Sequence, residues 1–162
     1  MSQRTLAARS SSWLIAPLVL SLLGCGSDDA GDEPGPDAQG FACAQQTDSY
    51  HAGLSKLGAA SRFRVTLLDA DPAPPARYDN RWTLAVEDAA SSPVLGATLR
   101  VNPDMPEHGH GVLRPVIVAE LGDGRYQLDD VYLHMPGYWE IPIEVRSGDT
   151  VDEVRFAFCI LP

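Results

Sequence analysis

From residue 61 to residue 160, apolar side chains return at every second position in one segment after another, and that period commits the chain to β-strands. Phe63, Val65 and Leu67 alternate first, then Trp82, Leu84 and Val86, then Ala97, Leu99 and Val101. Val112 to Leu121 is a more continuously apolar fourth segment. Tyr126 to Met135, Tyr138 to Arg146 and Val151 to Ile160 follow. In the clearest strand, Trp139, Ile141, Ile143 and Val145 share one face, while Glu140, Pro142, Glu144 and Arg146 take the other. Pro142 has no N–H to give to a ladder, so this strand is expected at a sheet edge or bulged there. Gly122-Asp123-Gly124 and Ser147-Gly148-Asp149 are hairpin turn signals. Only His51 to Ala60 admits a helix, and its two glycines weaken even that. Asp71-Pro-Ala-Pro-Pro75 reads as a stiff exposed connection. About seven strands with turns between them predict an all-β fold, a two-sheet antiparallel sandwich. Its core is expected to hold Trp82, Trp139, Phe156 and Phe158.

The N-terminus has a different character. Arg4 and Arg9 precede an apolar run from Trp13 to Leu23. That run is well short of the roughly 20 residues needed to span a bilayer, so residues 1–24 read as a secretion signal. Leu22-Leu23-Gly24-Cys25 resembles the lipobox of bacterial lipoproteins. The resemblance implies that Cys25 becomes the lipidated N-terminus. Gly26 at the next position implies sorting to the outer membrane, facing the periplasm. Residues 25–40 then form an acidic tether with nothing apolar to bury, expected to stay disordered. Residues 41–162, about 120 in number, are the right size for one domain.

Charge excludes one class of partner. The whole chain carries a formal charge of −10, and residues 1–24 contribute two arginines and no acid to it, so the exported part is more acidic still. Nucleic acid is therefore not a partner, because phosphate contacts need clustered Lys and Arg. Anionic lipid is disfavoured for the domain itself, which leaves the lipid anchor as the link to membrane. With Cys25 assigned to lipid, Cys43 and Cys159 remain, one at each end of the domain. Two free thiols or a thiolate metal site are alternatives, but export to an oxidising compartment favours a Cys43–Cys159 disulfide. Strand phase also turns Cys159 away from the core, toward a crossing N-terminal segment.

Chemistry concentrates in two short segments, Met105-Pro-Glu-His-Gly-His-Gly111 and His134-Met135-Pro-Gly137. Apart from Met1 these hold every methionine, and they hold three of the four histidines. Thioether with imidazole is a ligand set for soft or borderline metals, copper(I) above all. This reading takes Met105, His108, His110 and Met135 as ligands, with His134 as an alternative. Gly109 and Gly111 would let the loop fold tightly enough to aim both imidazoles inward. A plainer reading stands beside it. Along Val131, Leu133 and Met135 the methionine falls on the core-facing phase, where Met fills irregular gaps. His134 then lies beside Tyr132 on the other face, and the first segment is an exposed loop stiffened by proline.

Four stretches carry a resemblance: Val94 to Val101, Met105 to Gly111, Gly124-Arg-Tyr-Gln127, and Leu133 to Ile141. Together they resemble the YtkA-like domain over roughly residues 61–158. This is an immunoglobulin-like module, related to the FixH proteins, of secreted or membrane-anchored bacterial proteins. The resemblance implies an immunoglobulin-like sandwich in the cell envelope. FixH relatives are associated with assembly of copper-containing oxidases, which implies copper handling here. They carry a transmembrane anchor where this chain has a lipobox.

Enzymatic readings find less support. Gly53-Leu-Ser55-Lys lacks the strand–turn–helix context and second glycine of a nucleophile elbow. Asp129-Asp130 and Asp69-x-Asp71 fall at strand ends, where solvated turns are commoner than acid/base pairs. Asp129-Asp130 also lacks the alternating spacing of a calcium loop. His51 reads as a surface residue. The expectation is a non-enzyme: either a copper-handling envelope lipoprotein or a structural module that docks a protein partner in the envelope, for instance by edge pairing.

Overall fold

The computed structural model describes residue 43 and residues 47–162. The proposed signal, Cys25 and the acidic tether lie outside the described residues. The described chain is all-β, with ten strands in two antiparallel sheets. They are β1 (Leu54–Leu57), β2 (Phe63–Asp71), β3 (Tyr78–Asp88), β4 (Thr98–Val101), β5 (Asp104–Met105), β6 (His110–Gly111), β7 (Ile117–Gly122), β8 (Arg125–Leu133), β9 (Gly137–Ser147) and β10 (Thr150–Ile160). One sheet runs β1-β2-β3-β8-β7. The other runs β10-β9-β5-β6, with β4 also paired to β9.

The long strands follow the alternation in the sequence. Val65, Leu67, Trp82, Leu84, Leu128, Val131, Ile141, Ile143, Val145 and Val154 have no exposed surface and fill the space between the sheets. Trp82 meets Phe156 and Phe158 edge-on, at centroid distances of 6.4 and 5.7 Å. Edge-to-face packing sets the positive rim of one ring against the negative face of another, a preferred arrangement for buried aromatics. All four aromatics assigned to the core are in it: Trp82, Trp139 and Phe156 at 0% exposure, Phe158 at 4%.

The strand count exceeds the expected seven, and the surplus lies in short pieces. His51–Ala60 is not helical; it contributes β1, an edge strand antiparallel to β2 from Leu54↔Leu67 to Leu57↔Arg64. In the fourth segment, pairing begins only at Ile117, after Pro115. Pro142 is not on an edge strand. Its strand pairs with β10 over its length, and on the other side with β4 up to Val101↔Ile143 and again with β5 at Asp104↔Glu140. Pro142 therefore faces the interval between β4 and β5, where its carbonyl accepts a 3.4 Å hydrogen bond from Asn102 N and no ladder residue stands opposite its missing N–H.

Two clamps fix the ends of the sandwich. Cys43 and Cys159 form a disulfide with Cα atoms 5.6 Å apart, across a sequence separation of 116. Beside it, Asp48 N donates to Ala157 O, Ala157 N donates to Asp48 Oδ2, and Lys56 Nζ reaches the same carboxylate at 2.8 Å. The segment entering the domain is thus tied to the outer edge of β10. Closing so long a loop contributes about 2–4 kcal/mol. At the opposite end, Asp152 of β10 holds the β1–β2 turn by accepting from three of its backbone N–H groups, those of Ala60, Arg62 and Phe63.

Candidate metal centre

Met105 lies in β5, paired with His110 of β6. Between them Pro106, Glu107, His108 and Gly109 make a tight loop. His108 N and Gly109 N both donate to Met105 O, at 2.9 and 3.1 Å, and Gly109 takes the left-handed conformation this closure needs, at φ 67°. The hairpin leaves His108 and His110 exposed and turns Met105 inward to 0% exposure.

The second segment, His134-Met135-Pro136, connects β8 in one sheet to β9 in the other. Trp139 indole N–H donates to Met135 O at 2.9 Å, which fixes the bend. Gly137 follows at φ 133°, and a Cβ placed on it would lie 2.9 Å from Met105 Cε. The Met105 methyl therefore rests against the Gly137 backbone; a side chain there would have to push the methyl aside and would also be strained by the positive φ. By this contact the fold brings the two Met-Pro segments together.

The imidazoles lie outside that contact. His108 and His110 have ring centroids 5.7 Å apart, and His110 and His134 lie 6.0 Å apart with planes at 28°. His134 also stacks on Tyr132 at 6.0 Å and meets the edge of Trp139 at 5.4 Å. Tyr132 continues the row to Tyr78 at 6.4 Å, with the Arg114 guanidinium 5.2 Å from its ring. Arg77 covers Tyr78 at 4.7 Å and reaches His134 O at 3.4 Å. Met135 is partly buried against the core.

Two imidazoles that share one ion hold their ring centres roughly 5–6 Å apart, because each metal–nitrogen bond is about 2 Å. Both neighbouring pairs fall near that range. Among the described residues no three His, Cys, Asp or Glu side chains converge on a common point. His108 and His110 are exposed. Imidazole is the donor type that borderline metals take, and the three rings lie along one surface without converging on a single point.

The sequence placed Tyr132 next to His134, since residues two apart on a strand share a face. It did not reveal Trp139 as the support of this bend, a contact formed across a connection between sheets. Of the carboxylates weighed for acid/base chemistry, Asp129 and Asp130 stand within β8 rather than at a strand end, and both are held in ion pairs. Asp129 bonds Arg81, and Asp130 bonds Arg114, which also holds Asp79. The hydrogen bond from Arg81 keeps the Asp129 carboxyl below the ordinary range. His51 is a surface residue.

The model of the YtkA-like family matches residues 59–144. No curated protein matches the chain. Among solved structures, a DUF4426 family protein from Pseudomonas aeruginosa aligns with a TM-score of 0.45 at 10% identity, covering 73% of this chain and 98% of its own. A copper-bound variant of FetP from uropathogenic Escherichia coli aligns with a TM-score of 0.44 at 10% identity, covering 69% of this chain and 97% of its own.

Proposed function

The chain belongs to the YtkA-like family, and from that premise we propose that it is an exported, non-catalytic immunoglobulin-like module that binds copper at the His108, His110 and His134 cluster. The observation that carries this reading is the meeting of two segments remote in sequence: three imidazoles at successive centroid distances of 5.7 and 6.0 Å. Imidazole suits copper and zinc, and hard cations would want carboxylates and carbonyls instead. The chain's own part is to hold His134 in place, through Tyr132 and Trp139, while the hairpin carries His108 and His110 to it. Imidazole binds metal only as the neutral base, so binding weakens as pH falls. Copper handling in the envelope, including supply to oxidase assembly, is the role this chemistry serves. The ion pairs that occupy Asp129 and Asp130 support a non-catalytic role.

Copper titration against a competing chelator tests the reading. The purified protein should bind one equivalent at about micromolar affinity or tighter, and H110A should weaken that by about tenfold or more. If the protein binds copper no better than millimolar, or H110A binds as the parent does, a module that docks a protein partner is the better account.

We propose further that Cys25 carries lipid and holds the domain at the outer membrane, on the strength of Leu22-Leu23-Gly24-Cys25. Metabolic labelling with a fatty acid should mark the protein, and Cys25→Ala should abolish both the label and its partition with membranes. A labelled, membrane-bound Cys25→Ala protein would refute the anchor.

A further inference from the structure

At the β5–β6 hairpin the two donor types of the candidate centre part: the imidazoles of His108 and His110 face solvent and the thioether of Met105 faces the core. Met105 has no exposed surface, and its methyl is seated on Gly137. Its main chain is held as well, with two loop N–H groups on its carbonyl and the His110 register opposite. Met135 is half-buried, packed in part against the core, and its carbonyl is taken by Trp139. His108 and His110 are exposed, and His134 lies with them on the outer side in its stack with Tyr132. An ion arriving from solvent therefore meets nitrogen, and the sulfur of Met105 lies behind the hairpin. Thioether is the donor that selects copper(I); imidazole without sulfur suits copper(II), whose tetragonal preference accepts nitrogen and water together.

We infer that the centre takes copper as copper(II), on imidazole nitrogen alone, with Met105 and Met135 serving the core. The inference rests on the copper reading above and narrows it to one oxidation state. It also gives the ion a structural effect. His108 and His110 stand on the β5–β6 hairpin, whose strands are two residues each, and His134 stands on the connection between sheets. One ion on both would tie this short edge to the body of the sandwich.

The test uses the full chain in detergent, with copper(II) followed by electron paramagnetic resonance and copper(I) followed anaerobically against a chromogenic chelator. Copper(II) should give a spectrum with nitrogen hyperfine structure. H110A and H134A should each weaken copper(II) by about tenfold or more, while M105L and M135L, checked for folding by thermal melting, should stay within about twofold of the parent. If copper(I) binds tightly and M105L or M135L abolishes that while H110A does not, the sulfur lies in the site and the inference is overturned. A copper(II) spectrum without nitrogen coupling overturns it too. Absence of binding in both oxidation states removes the copper reading itself, a result distinct from a misassigned oxidation state.

Discussion

Replacing Trp139 with alanine should cost about 3–5 kcal/mol of stability, the range for losing a large buried aromatic without local collapse. Trp139 has no exposed surface and stands opposite Phe158 in the β9–β10 ladder. Its indole N–H donates to Met135 O, and its ring carries His134 edge-on at 5.4 Å. The substitution therefore empties core volume and releases the bend that holds His134. Trp139→Phe restores most of the packing but not the hydrogen bond, and should lose about 1–2 kcal/mol. Urea denaturation of the two variants measures both figures. A loss below about 1 kcal/mol for Trp139→Ala would mean that the residue does not bear on the core as its burial implies. Because the same ring supports His134, Trp139→Phe should also change copper affinity more than its modest stability loss suggests.

Such reasoning was open to the sequence wherever the determinant was local. In a strand the face of a side chain depends only on its parity, so Phe63, Val65 and Leu67, or Val154, Phe156 and Phe158, disclose their burial without knowledge of their partners. The same parity turned Cys159 outward, where the segment carrying Cys43 meets it. What depends on pairing with distant residues left no such mark. Leu54 to Leu57 is a strand because β2 lies beside it, and its sequence alone, flanked by Gly53 and Gly58, is compatible with a turn or a weak helix. Pro142 reads as an edge residue by its chemistry, yet the neighbouring strand is interrupted where its missing N–H would have mattered. Of the candidate centre, the residue types were legible and their disposition was not. Met105 sits in a proline- and glycine-rich stretch that reads as exposed loop. It is buried because β5 lies against Glu140 in β9 and its methyl finds Gly137, contacts with no local period.

Asp152 offers the second large effect, and its role was likewise invisible in sequence. A carboxylate on the buried face of its strand, 5% exposed, is costly unless its oxygens are satisfied. Here they are satisfied by main chain from the other sheet: Ala60 N and Arg62 N at 2.8 Å, Phe63 N at 3.3 Å, with Glu153 N at 2.9 Å from its own strand. Gly58 leaves the space for it, since a Cβ there would collide with the carboxylate. Burial pushes the Asp152 carboxyl up, but the four N–H donors together outweigh it and hold the group below the ordinary Asp range. A carboxyl with a lowered folded-state value stabilises the fold fully above the unfolded value of about 3.9 and loses that contribution as pH falls through the folded value. Asp152→Ala leaves several donors of the β1–β2 turn without an acceptor, at about 1–3 kcal/mol for each one that stays buried, so the expected loss is about 3–5 kcal/mol near neutral pH. Asp152→Asn keeps the shape but turns an NH₂ toward N–H donors, and should fall between the parent and Asp152→Ala. Both variants should also lose stability less steeply than the parent on acidification below about pH 4, because the group that titrates there is gone. Urea denaturation from pH 7 down to pH 2 reads both effects together. An Asp152→Ala protein as stable as the parent, with the same acid dependence, would mean that the turn keeps its position without the carboxylate and that the sheets are held at this end by the apolar core alone.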